Sequence, residues 1–222
     1  MTETSVVIPP PASPSTNESV TALFFPSVLL RARIAEHEAI REDLMPEIDA
    51  VRSETRNGPD PAWASPVYTT MMTDDGLHRR TGFRALAGIF TREVLAFAER
   101  KSVDLDRQAI GVDRCWLNVL GKGDSIDVHN HPNSFYTGIY FVQAPADGAR
   151  LFLYHPAAEM GFSMPFTRET RLNQRAYVYQ PRPGDLLVYE SHIVHSFQVH
   201  GSDHEHISLC FTASPGVQAL PG

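Results

Sequence analysis

Val128-His129-Asn130-His131-Pro132-Asn133-Ser134 sets two histidines two residues apart just ahead of a Pro-Asn-Ser turn. If Val128 to His131 is extended, side chains alternate across the strand, so His129 and His131 project from one face and reach a common metal ion. Imidazole is the commonest metal ligand at neutral pH, but two ligands leave a site incomplete. The best third candidate is His195, in Ser191-His192-Ile193-Val194-His195-Ser196-Phe197, after a strand-like run that opens at the turn Pro181-Arg182-Pro183-Gly184-Asp185. A structural reading competes with the metal. A single strand histidine is more often a hydrogen-bonded core residue, and His37 and His78 are read that way. Two imidazoles in contact disfavour each other's protonation and offer stability little without a metal. They could equally be surface residues beside a Pro-Asn-Ser turn. The pair alone leaves both readings open.

Around this stretch, from about Gln108 onward, the chain consists of short β-type runs separated by Gly, Pro, Asn and Asp: Ile110 to Leu120, Phe135 to Gln143, Arg150 to Tyr154, Ala176 to Gln180, Asp185 to Glu190, Val194 to His200 and His206 to Thr212. Helical periodicity is confined to the first half. Ile40, Leu44, Ile48 and Val51 put one apolar face on a helix over Ala35 to Arg52, with Pro46 inside it to kink or split it. Phe83, Leu86, Phe90, Val94 and Phe97 mark a second helix from about Arg80 to Lys101, a stripe that reads as core. Val20 to Leu30 reads as an edge strand interrupted by Pro26, and Trp63 to Thr70 as a short strand after the Asn57-Gly58-Pro59-Asp60-Pro61 loop. This pattern predicts a mainly β protein with N-terminal helices packed on a β-sandwich or jelly roll. Residues 1–19, rich in Pro, Ser and Thr, read as a flexible arm without chemistry. Residues 20–222 read as a single domain, with helical support over 20–107 and a β core over 108–213.

Composition narrows the function. With 222 residues and a formal net charge of −7, the chain can bury a substantial core and is ill suited to nucleic acid or an acidic membrane surface. Its two cysteines, Cys115 and Cys210, sit among apolar residues and read as reduced core thiols of a cytoplasmic protein. The start Met1-Thr2-Glu3-Thr4-Ser5 lacks the features of a signal peptide. The apolar passage Ala22 to Leu30 is nine residues long, far short of the roughly 20 that cross a bilayer. The sequence has no internal repeat and no Gly-rich phosphate loop.

Within the β region a family resemblance emerges. Trp116-Leu117-Asn118, then His129-Asn130-His131-Pro132-Asn133-Ser134, then Thr137-Gly138-Ile139-Tyr140-Phe141-Val142, then Pro183-Gly184-Asp185 running through Leu186-Leu187-Val188-Tyr189-Glu190-Ser191 to His195, resembles the Fe(II)/2-oxoglutarate-dependent oxygenases. The bacterial and phage branch with a His-x-His-Pro-x-Ser signature is the most similar. The resemblance spans roughly residues 112–213 and implies a double-stranded β-helix, a cupin-like jelly roll with iron at one open end. It implies His129, His131 and His195 as metal ligands, 2-oxoglutarate as co-substrate and O2 as oxidant. It also implies His206, Asn118, Tyr140 and Arg182 as candidate co-substrate contacts. Three protein ligands on one octahedral face leave three positions for a bidentate oxo acid and O2.

The chain departs from the family at two places. His131 stands where the wider superfamily has a carboxylate, and Asp127, two residues before His129, offers the alternative set Asp127, His129 and His195. His206 in His206-Ile207-Ser208-Leu209 stands where the family carries an Arg or Lys for the far carboxylate. A neutral imidazole lacks the fixed charge and bidentate fork of arginine. His206 could bind as imidazolium, Arg150, Arg182 or Lys122 could serve instead, or 2-oxoglutarate could go unused. The long passage Ala157 to Gln174 suits a substrate lid. Three readings follow: a 2-oxoglutarate-dependent hydroxylase of a small molecule or peptide, a three-His cupin-like dioxygenase whose substrate chelates iron directly, and a non-catalytic metal-binding jelly roll. Turnover of 2-oxoglutarate to succinate separates the first from the second.

Overall fold

Eight strands between Ile110 and Pro215 divide four and four between two antiparallel sheets, changing sheet at every step except between the paired strands Leu151–Tyr154 and Ala176–Tyr179, and that arrangement is the jelly roll. The computed structural model describes residues 19, 21, 25–156 and 165–217. Ahead of the eight come β1 (Leu29–Arg33), α1 (His37–Glu54), β2 (Tyr68–Thr69), two single 3₁₀ turns (Leu77–Arg79 and Thr81–Phe83) and α2 (Arg84–Arg100). The core strands are β3 (Ile110–Leu120), β4 (Ile126–His129), β5 (Tyr136–Gln143), β6 (Leu151–Tyr154), β7 (Ala176–Tyr179), β8 (Asp185–Glu190), β9 (His195–Phe197) and β10 (His206–Pro215). The large sheet runs β1-β8-β5-β10-β3-β2 and the small one β4-β9-β6-β7. This is the double-stranded β-helix the sequence implies.

Side-chain alternation divides the large sheet between two cores. Trp116, Ile139, Phe141, Leu187, Tyr189 and Cys210 point into the barrel, against Leu151, Leu153, Tyr179 and Phe197 of the small sheet. Leu117, Tyr140, Val142, Val188, Leu209 and Phe211 point outward, where Leu44, Ile48 and Val51 of α1 and Phe90, Val94 and Phe97 of α2 cover them. A sheet buried on both faces reads in sequence as continuous apolar runs, which is why β3, β5, β8 and β10 were legible.

Three local expectations are corrected. Of the expected strand over 20–30, residues 20 and 22–24 lie outside the described residues and 25–28 are not strand; the first described strand begins at Leu29 and pairs with β8 from Leu29↔Tyr189 to Arg33↔Asp185. Its two arginines belong to the edge, Arg33 pairing with Asp185 at 2.9 Å and Arg31 lying 4.9 Å over the Tyr179 ring. Helix α1 is not split at Pro46, which lies on the exposed side beside exposed Glu42, so water can reach the carbonyl that proline leaves unbonded. Helix α2 starts at Arg84, because Arg80 is extended and its guanidinium is tied to Asp74 and Glu54. The expected arm over 1–19 lies outside the described residues except Ser19, as does the 157–164 part of the expected lid.

Gly138 of β5 lies under the ring of Phe211, its partner on β10. A Cβ there would overlap the Phe211 ring, which stacks on Phe90 of α2 at 4.2 Å between centroids. Gly138→Ala should therefore destabilise the protein by roughly 1–3 kcal/mol, the usual cost of overpacking. Urea denaturation should show a lower midpoint at an unchanged m-value. An unchanged midpoint would mean that the Phe211–Phe90 stack yields without cost.

Candidate metal centre

The small sheet builds the site by pairing β4 with β9, which sets His129 directly across from His195. A register irregularity lies between Ile126 and His129, at the end of β4. The strand stops there, so His131 is not extended alongside it as the sequence suggested. Pro132 has no N–H to continue a ladder and Asn133 takes a left-handed conformation (φ 66°), which turns the chain back. His131 is fixed instead by donating its backbone N–H to the Ser191 carbonyl at 3.2 Å. A turn, not a strand face, completes the cluster. Ring centroids stand 4.3 Å apart for His129 and His195, 5.0 Å for His129 and His131, and 5.1 Å for His131 and His195. One ligand atom from each ring lies within 4.8 Å of the others.

Hydrogen bonding selects the nitrogens that face inward. His129 Nδ1 lies 2.7 Å from the Asp127 carbonyl and His195 Nδ1 lies 3.0 Å from the Ile193 carbonyl. A carbonyl only accepts, so both Nδ1 atoms carry the proton and both Nε2 lone pairs are free. Burial lowers the pKa of all three rings. His131, 6% exposed, falls to about 3 through burial and then through His129 and Arg114. His195, 3% exposed, falls well below its ordinary value through burial and the other two rings. His129 is lowered by burial, against the pull of its bond to the Asp127 carbonyl and of Asp60 and Asp127. Near neutral pH the cluster thus presents three uncharged imidazoles, the form that ligates a metal.

Aromatic walls enclose the cluster. Trp116 meets His131 edge-on at 5.1 Å, Tyr189 meets His195 at 5.4 Å and Trp63 leans on His129 at 5.2 Å. Trp63 is held there because the next residue, Ala64, donates its N–H to Asp127 Oδ2 at 2.7 Å. That bond also accounts for Asp127, which serves the Trp63 loop and is absent from the three-histidine cluster.

The other sequence candidates scatter. Asn118 and His206 face the barrel interior and are buried. Tyr140 is on the opposite face of β5, among the helices, with its hydroxyl 2.7 Å from His37 Nδ1, because it is one residue out of phase with interior Ile139 and Phe141. Arg182 is exposed on the turn before β8, where its backbone N–H donates to Asp185. Arg150 is exposed beside Gln198, and exposed Lys122 pairs with Asp203. Two interior residues escaped the sequence reading. Ser208 is the register partner of Asn118, and Tyr189 lies on the same face of β8 as Leu187. Counting alternate positions from Leu187 and from His206 finds both. Trp63, which acts from a loop, left no such signal.

Comparison with known proteins agrees with this geometry. Residues 114–212 match the family model described as "Putative 2OG-Fe(II) oxygenase". No curated protein matches the chain. Among solved structures, the non-heme alpha ketoglutarate dependent epimerase SnoN from nogalamycin biosynthesis superposes with a TM-score of 0.62 at 12% identity, covering 85% of this chain and 78% of that one. HygX from Streptomyces hygroscopicus, with nickel and 2-oxoglutarate bound, gives 0.59 at 14%, covering 86% and 84%. A Pseudomonas putida prolyl-4-hydroxylase gives 0.56 at 13%, covering 86% and 94%. SnoN has also been solved with Fe3+, alpha ketoglutarate and nogalamycin RO, and HygX with nickel, 2-oxoglutarate and hygromycin B. At these identities the likeness is one of fold.

Two predictions follow from the cluster. His129→Ala, His131→Ala and His195→Ala should each weaken Fe(II) binding by more than about 100-fold, beyond the roughly 10–100-fold typical of losing an outer partner. Asp127→Ala should retain binding in an anaerobic competition titration, and the reverse pattern would make Asp127 the ligand. The second concerns acid. His131, His195 and His206 have folded pKa values depressed by burial, so the unfolded chain takes up protons first. Their contribution is complete above about pH 6.5 and declines below it, by at most about 1.4 kcal/mol per pH unit for each histidine. Urea midpoints of metal-free protein should fall steeply between pH 6.5 and 4, and a flat profile there would contradict the burial argument.

Proposed function

We propose that this chain, whose residues 114–212 match the model described as "Putative 2OG-Fe(II) oxygenase", is a 2OG-Fe(II) oxygenase that binds Fe(II) through His129, His131 and His195 and uses 2-oxoglutarate and O2 to hydroxylate a small molecule. The observation that carries this reading is the convergence of three uncharged imidazoles at the β4–β9 end of the barrel. Three such ligands on one face leave room for a chelating oxo acid and O2. Iron with 2-oxoglutarate supplies, when bound, oxidative decarboxylation to succinate and CO2 coupled to oxygen insertion into a C–H bond.

The chain's own residues orient and shield. The Asp127 and Ile193 carbonyls fix the rings of His129 and His195, while Trp116 and Tyr189 keep water from the inner sides of His131 and His195. His129 is the less buried ligand, with Trp63 against it and Val128 61% exposed next to it, so the substrate approaches from this side. On the inner side, buried polar atoms without partners fit the tail of an oxo acid: Asn118 Oδ1, Tyr189 Oη and both ring nitrogens of His206. The complexes of SnoN with nogalamycin RO and of HygX with hygromycin B support a small-molecule substrate. Residues 20–222 act as one domain, a reading supported by the core that α1 and α2 share with the large sheet. Among the described residues no helix is long and apolar enough to cross a membrane. Both cysteines are buried free thiols, which supports a reducing, cytoplasmic setting.

Anaerobic titration of metal-free protein with Fe(II) should give one iron per chain. Adding 2-oxoglutarate should then raise the weak visible charge-transfer band of a chelated oxo acid. Iron binding without that band would favour a three-His dioxygenase whose substrate chelates the metal itself. No iron binding would return the histidines to a structural role.

A further inference from the structure

Among the described residues, the eight strands from β3 to β10 contain a single Lys or Arg, Arg114 of β3. Trp116, two residues on, points into the barrel and meets His131 at 5.1 Å. Arg114 shares that face by alternation, and its guanidinium lies over the Trp116 ring at 5.6 Å, one ring removed from a metal ligand. It is partly exposed, so a ligand at the metal end of the barrel reaches it. Its donors are only partly spent. Nε donates to Asp75 Oδ2 at 2.6 Å, and Nη2 reaches the Met71 carbonyl at a long 3.4 Å. Nη1 donates to nothing among the described residues, so the end of the fork is open. Arg52 shows the contrast: it gives Nη1 and Nη2 to the two oxygens of Glu205 at 3.0 and 2.8 Å, a completed bidentate pair.

We propose that the primary substrate carries a carboxylate and that Arg114 receives it through this open end, which sets the adjoining carbons of the substrate beside His131. The proposal rests on the metal and co-substrate reading above and names the substrate class for that site. Charge around the cluster favours this orientation. Asp60 and Asp127 put negative charge beside His129, so an anionic group is repelled there and drawn across to Arg114. Asp75 and Trp116 act as positioning residues, because they hold the guanidinium before any ligand arrives and little side-chain freedom remains to be lost on binding. One segment of chain borders both sides of the cluster: Trp63 leans on His129, while Met71 and Asp75 flank Arg114. A substrate that enters past Trp63 therefore meets an aromatic face first and the cation beyond it. A carboxylate fits a planar, charged fork, whereas the matching carboxamide offers one oxygen and no charge.

The test is anaerobic calorimetry on protein loaded with Fe(II) and excess 2-oxoglutarate, with the charge-transfer band recorded in parallel. The probes are hexanoate, phenylacetate, L-leucine and L-proline, each against its own carboxamide. At least one acid should bind about tenfold or more tighter than its amide, the scale of a charge-assisted pair. Arg114→Gln should abolish that preference and Arg114→Lys, which keeps the charge without the fork, should retain only part of it. Asp75→Asn separates recognition from a structural tie, since it breaks the same ion pair but leaves the guanidinium: it should keep the preference. Equal loss in Asp75→Asn and Arg114→Gln would reduce Arg114 to a pin for the loop and overturn the proposal. So would a preference that survives Arg114→Gln, or wild type that prefers none of the acids. Should urea midpoints show Arg114→Gln unfolded, Arg114→Lys decides, and an undiminished preference there overturns the proposal. The band without any acid preference would leave the co-substrate reading standing. An acid preference lost in Arg114→Gln, with no band in wild type, would sink the co-substrate reading alone.

Discussion

The antiparallel register between β4 and β9 is the constraint on which the site depends. Side chains on a strand have a period of two, so a slip of one residue would turn His195 away from the centre and bring a neighbour in its place. Ile126 and Phe197, paired two residues further along β9, are both buried in the barrel core and lock the register by packing. The same pairing puts the Nδ1 atoms of His129 and His195 against carbonyls of their own strand and loop. Sheet packing therefore sets ring position, and ring position sets which nitrogen is free. The geometry of the histidine cluster begins as a property of the hydrophobic core.

That core is stiff because the large sheet is covered twice. Helices α1 and α2 bury one face, the small sheet the other, and the close approach of Gly138 to Phe211 ties the helical layer to the strand behind the interior wall. The helices carry none of the proposed ligands. Their contribution is to fix β5, β8 and β10, from which Tyr189, Ser208 and His206 project inward. A site held by packed strands keeps its geometry without a ligand.

Much of this was legible in the sequence because burial on both faces writes long apolar runs. The bounds of β3 and β8 were read without error, and those of β5, β6 and β7 to within a residue. What failed was phase and turn geometry. Tyr140 sits in the same run as Phe141, yet one position of alternation sends it to the helices and its neighbour to the barrel. His131 converges with the others through Asn133 and the Ser191 carbonyl, a tertiary contact that spacing alone could not reveal. Trp63 reaches His129 because Ala64 bonds Asp127 across more than sixty residues. Local patterns specify strands well, but a wall built by a loop depends on where that loop lands.

The two departures from the family pattern make sense as one. A carboxylate ligand would remove one positive charge from the metal, and an arginine in the interior would restore one beside the co-substrate tail. This chain has neither: His131 is neutral where a carboxylate is usual, and His206 is neutral where a cation is usual. Each change alone would leave a buried unit charge uncompensated, at an effective penalty of several kcal/mol per ion. Together they leave the sum over metal, ligands and dianionic oxo acid where it was. On the reading proposed above, His131 would face one end of the oxo acid and His206 the other, with the low dielectric between Trp116, Phe141 and Phe197 separating them. Electrostatic balance across that distance requires no contact between His131 and His206, because a charge in a dry interior is felt along its whole length. On the proposed reading, converting either position to the commoner residue in isolation would disturb how the other end of the co-substrate is held.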